Sequence, residues 1–276
     1  MDSTFTALPA YAELFCFSNF TFLHGASHAE ELVRRAVQLG YEGLAVTDEC
    51  SLAGVVRAHV AAKEVGLPLV IGSYFQLRNA DGSPAFGLIV LAQNREGYGN
   101  LSELITLART RAPKGEYRLT PQDLSRPDCD NAHLRGMPDC LAILVPDFPA
   151  KEPALAAQLE WMNATFPTRA YVGLTLHQRA MDDIHRGIVE HMADRYRVPV
   201  VATGNVVMHV RSRKPLQDTM TAIRVGRPIA ECGYDLAPNA EQHLRSPRQV
   251  DAISATVVLC WLPGEFFAHL PGRPQG

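Results

Sequence analysis

Residues 40–54 read GYEGLAVTDECSLAG. Gly43 to Thr47 is a short apolar run entered from glycine, the pattern of a strand buried on both faces, and it delivers Asp48 at its end. Ser51 is placed to cap a helix running from Leu52 to about Glu64. A buried strand leading straight into a helix is the unit of α/β layers, in which polar residues at the carboxyl ends of strands face the site. Asp48 and Glu49 occupy such an end. A plainer role for Asp48, capping the turn that follows it, stands beside the functional one.

The same alternation extends in both directions. Upstream, Tyr11–Phe17 reads as a first strand, Phe20 to Gly25 as a loop, and Ser27 with Glu30 as a capping box for a helix that ends at Gly40. Downstream, Leu67–Leu77 and Phe86–Ala92 read as strands flanking the turn cluster 79–84, which makes a hairpin their expected relation. Asn100–Arg109 is helical. Arg111 to Asp139 is long, rich in Pro, Gly and charge, with one short helix after Thr120; its length marks a functional surface loop or partial disorder. Leu141–Val145, Tyr171–Leu176 and Val198–Thr203 are further strands. Helices from Pro153 to Thr165, Met181 to Arg197 and Pro215 to Val225 follow them in turn. The alternation predicts a parallel α/β sheet or barrel.

Bulk properties narrow the function. The chain has 276 residues, 47% hydrophobic and 20% charged, ordinary for a globular protein of one large α/β domain or two small ones. The formal net charge is −3 and the pI about 6.4, so the global basic footprint of a dedicated nucleic-acid binder is missing. Six cysteines without a CxxC pair exclude a zinc ribbon or thioredoxin-type site and read as reduced thiols. Neither a signal peptide nor an apolar run long enough for a membrane span is visible, so the expected compartment is the cytoplasm. The dinucleotide, P-loop, zincin and nucleophile-elbow signatures are all missing.

On a barrel, strand ends from distant parts of the chain share one rim. Here that rim holds Phe15 to Ser18, Asp48, Glu49, Tyr74, the region near Gly87, and Gly204 to His209. Asp48, Glu49, Asn205 and His209 are its candidate metal-ligating residues, set among Phe15, Phe17, Tyr74 and Val207. A hydrolytic metal site needs more carboxylates and imidazoles than these. Arg211, Arg213 and Lys214 form a basic cluster beside the rim. It suits a phosphate backbone or, more plainly, a solvated surface.

Several long blocks resemble one family in the right order. LGYEGLAVTDECSLAGVVRAHVAAKEVGLPLVIGSYFQL (39–77) and NREGYGNLSELIT (94–106) resemble the N-terminal polymerase-and-histidinol-phosphatase (PHP) domain of C-family bacterial DNA polymerases. SNFTFLHGASHAEELV (18–33), MHVRSRKPLQDTMTAIRVGRPIAECG (208–233) and PNAEQHLRS (238–246) resemble its error-prone branch. The resemblance implies a distorted (β/α)7 barrel of the PHP type over residues 1–248. It also implies a longer polymerase acting in damage-induced mutagenesis and translesion synthesis. That polymerase's partners would be DNA, the sliding clamp, a recombinase-like protein and a Y-family-like accessory protein. In some relatives the rim binds Mg²⁺, Mn²⁺ or Zn²⁺ and acts as a nuclease. Matched residue by residue, the metal-binding HxH falls on Phe15-Cys16-Phe17, the Asp-His pair on Asp48-Glu49, the third-strand glutamate on Tyr74, and the terminal Asp-x-His on Asn205-Val206-Val207. Where error-prone members usually read GDVHMH, this chain reads GNVVMH.

The expectation is therefore a structural PHP domain without catalysis or cofactor of its own. The alternatives are a stand-alone metal-dependent phosphoesterase and a non-enzymatic interaction module. Residues 249–276 lie outside the resemblance and read as an atypical tail, frameshifted or disordered, in a chain truncated before the polymerase core.

Overall fold

A computed structural model describes residues 10–253; the expectation for the tail lies outside them, apart from a closing helix. Seven strands run in spatial order with the sequence: β1 (Ala12–Glu13), β2 (Gly43–Val46), β3 (Leu69–Arg78), β4 (Pro84–Ala92), β5 (Cys140–Val145), β6 (Ala170–Leu174) and β7 (Val200–Ala202). Helices α1 (Ala29–Leu39), α2 (Val55–Val65), α3 (Arg95–Thr110), α4 (Pro121–Ser125), α5 (Glu152–Thr165), α6 (Asp182–Tyr196), α7 (Lys214–Val225) and α8 (Pro247–Ile253) make up the rest of the regular structure. Among the described residues, no helix is long and apolar enough to cross a membrane.

The sheet is a nearly closed α/β barrel with one reversed strand. β1, β2 and β3 pair in parallel, as do β5, β6 and β7. β4 runs antiparallel to both of its neighbours. The hairpin explains this reversal. The turn closes with Asn79 N–H on the Ser83 carbonyl at 2.8 Å and Gly82 N–H on the Asn79 carbonyl at 2.9 Å. So short a link has no room for the crossover that parallel pairing needs. The hairpin is the relation that the turn cluster 79–84 predicts, and it sets one reversed strand in an otherwise parallel barrel.

Strand periodicity sorts the core into two layers. Ala45, Ile89, Leu91, Leu141 and Ile143 point into the barrel, joined there by Leu14, Phe15, Phe17, Val70, Val201, Val207 and Met208. Their neighbours Leu44, Val46, Leu88, Val90, Ala142 and Leu144 point outward onto the helices. There they meet apolar stripes such as Leu32, Val33 and Ala36 of α1 and Leu155, Leu159 and Met162 of α5. The connection 111–139 is ordered against this outer layer by buried Leu119, Leu124, Leu134 and Met137, so partial disorder does not describe it. The short helix expected after Thr120 is α4, and the Thr120 hydroxyl caps it by accepting from Asp123 N–H.

Helix starts differ from expectation in three places. α3 begins at Arg95 rather than Asn100, capped by Asn94, whose Oδ1 accepts from Gly97 N–H at 3.0 Å. α1 is capped at His28, whose N–H donates to Glu31 Oε2 at 2.9 Å, because Ser27 is turned inward to His209. α2 starts at Val55 rather than Leu52, with Gly54 as its N-cap. Ser51 Oγ instead accepts from Ala53 N–H at 3.1 Å.

Closure of the ring is irregular. The expected strand 11–17 pairs as a ladder only over its first residues and then continues through a single parallel bridge, Cys16 to Val206. There Val206 N–H donates to the Phe15 carbonyl and Phe17 N–H to the Val206 carbonyl, each at 2.8 Å. Below the bridge a side chain does the work of a strand. Glu13, 1% exposed, accepts through Oε1 from the N–H groups of Gly204 and Phe15, both at 2.9 Å. A Cβ at position 204 would lie 2.4 Å from Glu13 Oε2, so only glycine permits this approach. Burial raises the Glu13 carboxyl above its usual range, against its hydrogen bonds and the nearby Arg245 charge.

Glu13→Ala leaves two backbone donors unpaired in the interior. It is expected to lower the unfolding free energy by about 3 kcal/mol, read as a lower urea midpoint with unchanged slope. Glu13→Gln keeps an acceptor in place and is expected to cost about 1 kcal/mol. Equal losses in the two variants would show that the closing bonds are not what Glu13 supplies.

Candidate functional site

The rim predicted from the strand ends exists, but two kinds of side chain divide it. Over β1 to β3 it is filled by aromatics. Phe15 stacks on Tyr74 with centroids 5.3 Å apart, and Phe17 meets Phe15 edge-on at 5.1 Å and Tyr74 at 5.6 Å. Tyr74 also lies over Gly87, at the start of reversed β4 and paired with Val145 of β5. Its hydroxyl donates to Gln76 Oε1 at 2.9 Å. Phe15 and Phe17 are buried to 1% and 2% exposure. Each contributes about 2 to 3 kcal/mol of transfer free energy, so the plug is a continuation of the barrel core rather than an open mouth.

Asp48, just past the end of β2, is a structural hub. Its Oδ1 accepts from Ser18 N–H at 2.8 Å and from the Thr21 hydroxyl at 2.7 Å, and its Oδ2 from the Ser18 hydroxyl at 2.6 Å. The N-cap of α2 closes over the carboxylate: a Cβ on Gly54 would come within 2.5 Å of Asp48 Oδ2. Burial raises the Asp48 carboxyl above its usual value, and the hydrogen bonds from Ser18 and Thr21 counter only part of that rise. The residue therefore pins the loop after β1 to the end of β2. Ser18 and Thr21, which make it a hub, carry no signal in the sequence that ties them to Asp48, 30 and 27 residues away.

The other predicted site residues go to different partners. Glu49 Oε1 accepts from the Tyr117 hydroxyl at 2.6 Å, and Tyr117 in turn accepts from Gln76 N–H at 2.8 Å. Arg109 lies over the Tyr117 ring and donates to the Glu49 and Cys50 carbonyls. A tyrosine from the long connection thus straps the β2–β3 end of the rim. His209 sits across the barrel, 2.8 Å from the Ser27 hydroxyl and 3.9 Å from Glu31 through the same ring nitrogen. Burial lowers its pKa. Asn205 has a left-handed backbone, φ 44°, and its Oδ1 is buried without a protein partner. Arg211 pairs with Glu241 at 2.6 Å, Arg213 with Glu31, and Lys214 with Asp218.

These residues do not fit a metal cluster. Among the described residues, no three His, Cys, Asp or Glu side chains converge where a cation would bind. The carboxylate of Asp48 already accepts from two hydroxyls and a backbone N–H, and Phe15, Phe17 and Tyr74 at the rim pack against one another. The physics is one-sided: imidazoles and carboxylates left buried without a cation would each cost several kcal/mol, whereas apolar rings there are favourable.

The raised carboxyl gives a test of the hub. The native chain holds the Asp48 proton more tightly than the unfolded chain does. The stability from this group is full below its ordinary value of 3.8 and is lost as pH rises through the raised native value. Asp48→Asn keeps the acceptor for Ser18 and Thr21 and has no such proton. Its urea midpoint, relative to the parent chain, is expected to rise as pH is raised from the unfolded to the native pKa. Asp48→Ala is expected to lose about 3 kcal/mol at neutral pH. A difference between the Asp48→Asn variant and the parent chain that does not change with pH would remove the buried proton from the account.

Comparison with known proteins agrees with this architecture. The family model described as PHP domain matches residues 14–173. The error-prone DNA polymerase of Burkholderia mallei is 60% identical over 257 residues, 91% of this chain and 24% of that protein. The error-prone DNA polymerase of Bordetella parapertussis is 62% identical over 239 residues, 87% of this chain and 23% of its own length. The chain thus spans about a quarter of the curated relatives it matches. Among solved structures, an amidohydrolase from Chromobacterium violaceum superposes with a TM-score of 0.52 at 13% identity, covering 72% of this chain and 88% of that one. A putative metal-dependent phosphoesterase from Bifidobacterium adolescentis gives 0.50 at 13% identity, over 71% and 88%. With a family model matched over more than half of its length and a seven-stranded barrel closed as described, the chain belongs to the PHP domain family.

Proposed function

We propose that this chain is the PHP portion of an error-prone DNA-directed DNA polymerase, and that its own role is structural and non-catalytic. One observation carries the reading: the rim positions that would hold metal are a packed aromatic plug, and the retained carboxylate, Asp48, is committed to Ser18 and Thr21. The likeness to error-prone polymerases supports the polymerase context. In that context the domain buttresses a longer chain that copies damaged DNA in the cytoplasm, with a sliding clamp and mutagenesis accessory proteins as partners. Arg211, Arg213 and Lys214 then offer a contact to the DNA backbone, each after leaving the carboxylate that now holds it. Asp48, Glu49, Asn205 and His209 hold no Mg²⁺, Mn²⁺ or Zn²⁺ in this reading.

The test is elemental analysis of the purified chain after dialysis against Mn²⁺ and Zn²⁺, with hydrolysis of bis-p-nitrophenyl phosphate and primer extension assayed on the same preparation. The expected result is substoichiometric metal, no metal-dependent hydrolysis and no extension. Stoichiometric metal, released by Asp48→Asn together with loss of hydrolysis, would establish a phosphoesterase instead.

A further inference from the structure

Residues 239–245 complete the barrel after α7. The stretch before them is loosely attached: from 226 to 235 every residue but Cys232 is exposed. At Asn239 the chain returns to the barrel, where its Nδ2 donates to the His177 carbonyl at 2.7 Å. Val207 N–H donates to the Gln242 carbonyl at 3.0 Å and Leu244 N–H to the Met208 carbonyl at 3.3 Å, flanking a parallel bridge between Met208 and His243. Arg245 fastens the end. Its Nη1 donates to the Leu176 carbonyl beyond β6 at 2.8 Å, and its own carbonyl accepts from the Tyr41 hydroxyl ahead of β2 at 2.6 Å. The short strip 206–208 therefore has two partners, Cys16 at the seam and this segment.

Directional bonds hold the segment, with little hydrocarbon to help them. Glu241, His243, Leu244 and Arg245 are all buried, and of these only Leu244 is apolar. A unit fixed in this way opens at lower cost than strands packed on a core. An ion pair adds a second property. Glu241 is 6% exposed, its Oε1 accepts from Arg211 at 2.6 Å, and its Oε2 has no hydrogen-bond partner among the described residues. The Arg211 side chain is half exposed. If Arg211 turned to solvent alone, a carboxylate would stay buried without its cation, which is strongly unfavourable. Arg211 is thus released when Glu241 is rehydrated, and Glu241 is rehydrated when the segment lifts.

We propose that residues 239–245 are a latch that opens as a unit while the barrel stays folded, and that opening sets Arg211 free for a polyanion. The exposed stretch 226–235 gives the slack for the movement. Closed, the latch withholds Arg211. A polyanion that engages Arg211 holds the latch open, because the two events share one free energy. Arg213 and Lys214 are held by Glu31 and Asp218, outside the latch, and do not depend on it.

The test is hydrogen exchange of the whole chain, read on the Val207 and Leu244 amides for the latch and on the β4 amides for the barrel. The latch amides are expected to exchange about tenfold faster than those of β4. Tyr41→Phe removes one latch bond and keeps the ring. It is expected to speed latch exchange about fivefold and to leave β4 unchanged. Heparin, as the polyanion, is expected to speed latch exchange about threefold in the parent chain and to have no effect on it in Arg211→Gln. Equal exchange of latch and β4, or equal acceleration of both by Tyr41→Phe, would overturn the latch. Latch exchange indifferent to saturating heparin in the parent chain, or an acceleration that survives Arg211→Gln, would overturn its link to Arg211.

Discussion

A carboxylate stands in for a β-strand in this protein. The first strand of the ring is two residues long, too short to hydrogen-bond along the last one. The seam between them is held by one bridge at Cys16 and Val206 and by the Glu13 side chain, which takes the Gly204 and Phe15 N–H groups that a neighbouring backbone would otherwise take. The arrangement carries a cost, since the charge is desolvated and the carboxyl shifts upward. It holds because the alternative is two buried donors with nothing to bond. The rim residues beside this seam inherit their positions from it. Phe15 and Phe17 leave from one side of it and Val207 from the other.

The rim over β1 to β3 is a continuation of the core. Metal sites gather like charges that only a cation reconciles. Without a cation such a pocket favours hydrocarbon, and here Phe15, Phe17, Tyr74 and Val207 fill the rim. Asp48 has a structural role. Its oxygens anchor the Ser18–Thr21 loop, and that loop with Gly54 shapes the entry to α2. A carboxylate at a strand end is therefore weak evidence of metal chemistry when its acceptor capacity is already taken by the protein.

Much of the fold is legible in the sequence because it rests on local patterns. The strand and helix alternation, the hairpin at 79–84 and the short helix after Thr120 all follow from residues near one another in sequence. The blocks that resemble the PHP family supply the ring and the aromatic substitutions. What escapes is non-local. Glu13 looks like one more residue of a weak strand, yet its decisive partner is Gly204, 191 residues on. Ser27 reads as a cap because its sequence context is a cap, but tertiary structure turns it toward His209, 182 residues away. Asp48 and Glu49 belong to the rim as their strand end implies, while the partners that fix their roles, Thr21 and Tyr117, come from loops whose paths no periodicity encodes.

The Tyr117 strap divides the long connection into unequal parts. From 111 to 125 the segment is fastened at both ends, by Tyr117 on Glu49 and by the buried Leu119 and Leu124. From 126 to 133 its residues are exposed or only partly buried, and none belongs to the core. Length can therefore drift in the second part without moving the barrel, while a single inserted residue in the first would pull the tyrosine off its carboxylate. Evolutionary variation in this connection, and any site chosen for an inserted tag, is thus steered to the stretch around Asp128–Asn131, where loop closure depends only weakly on length.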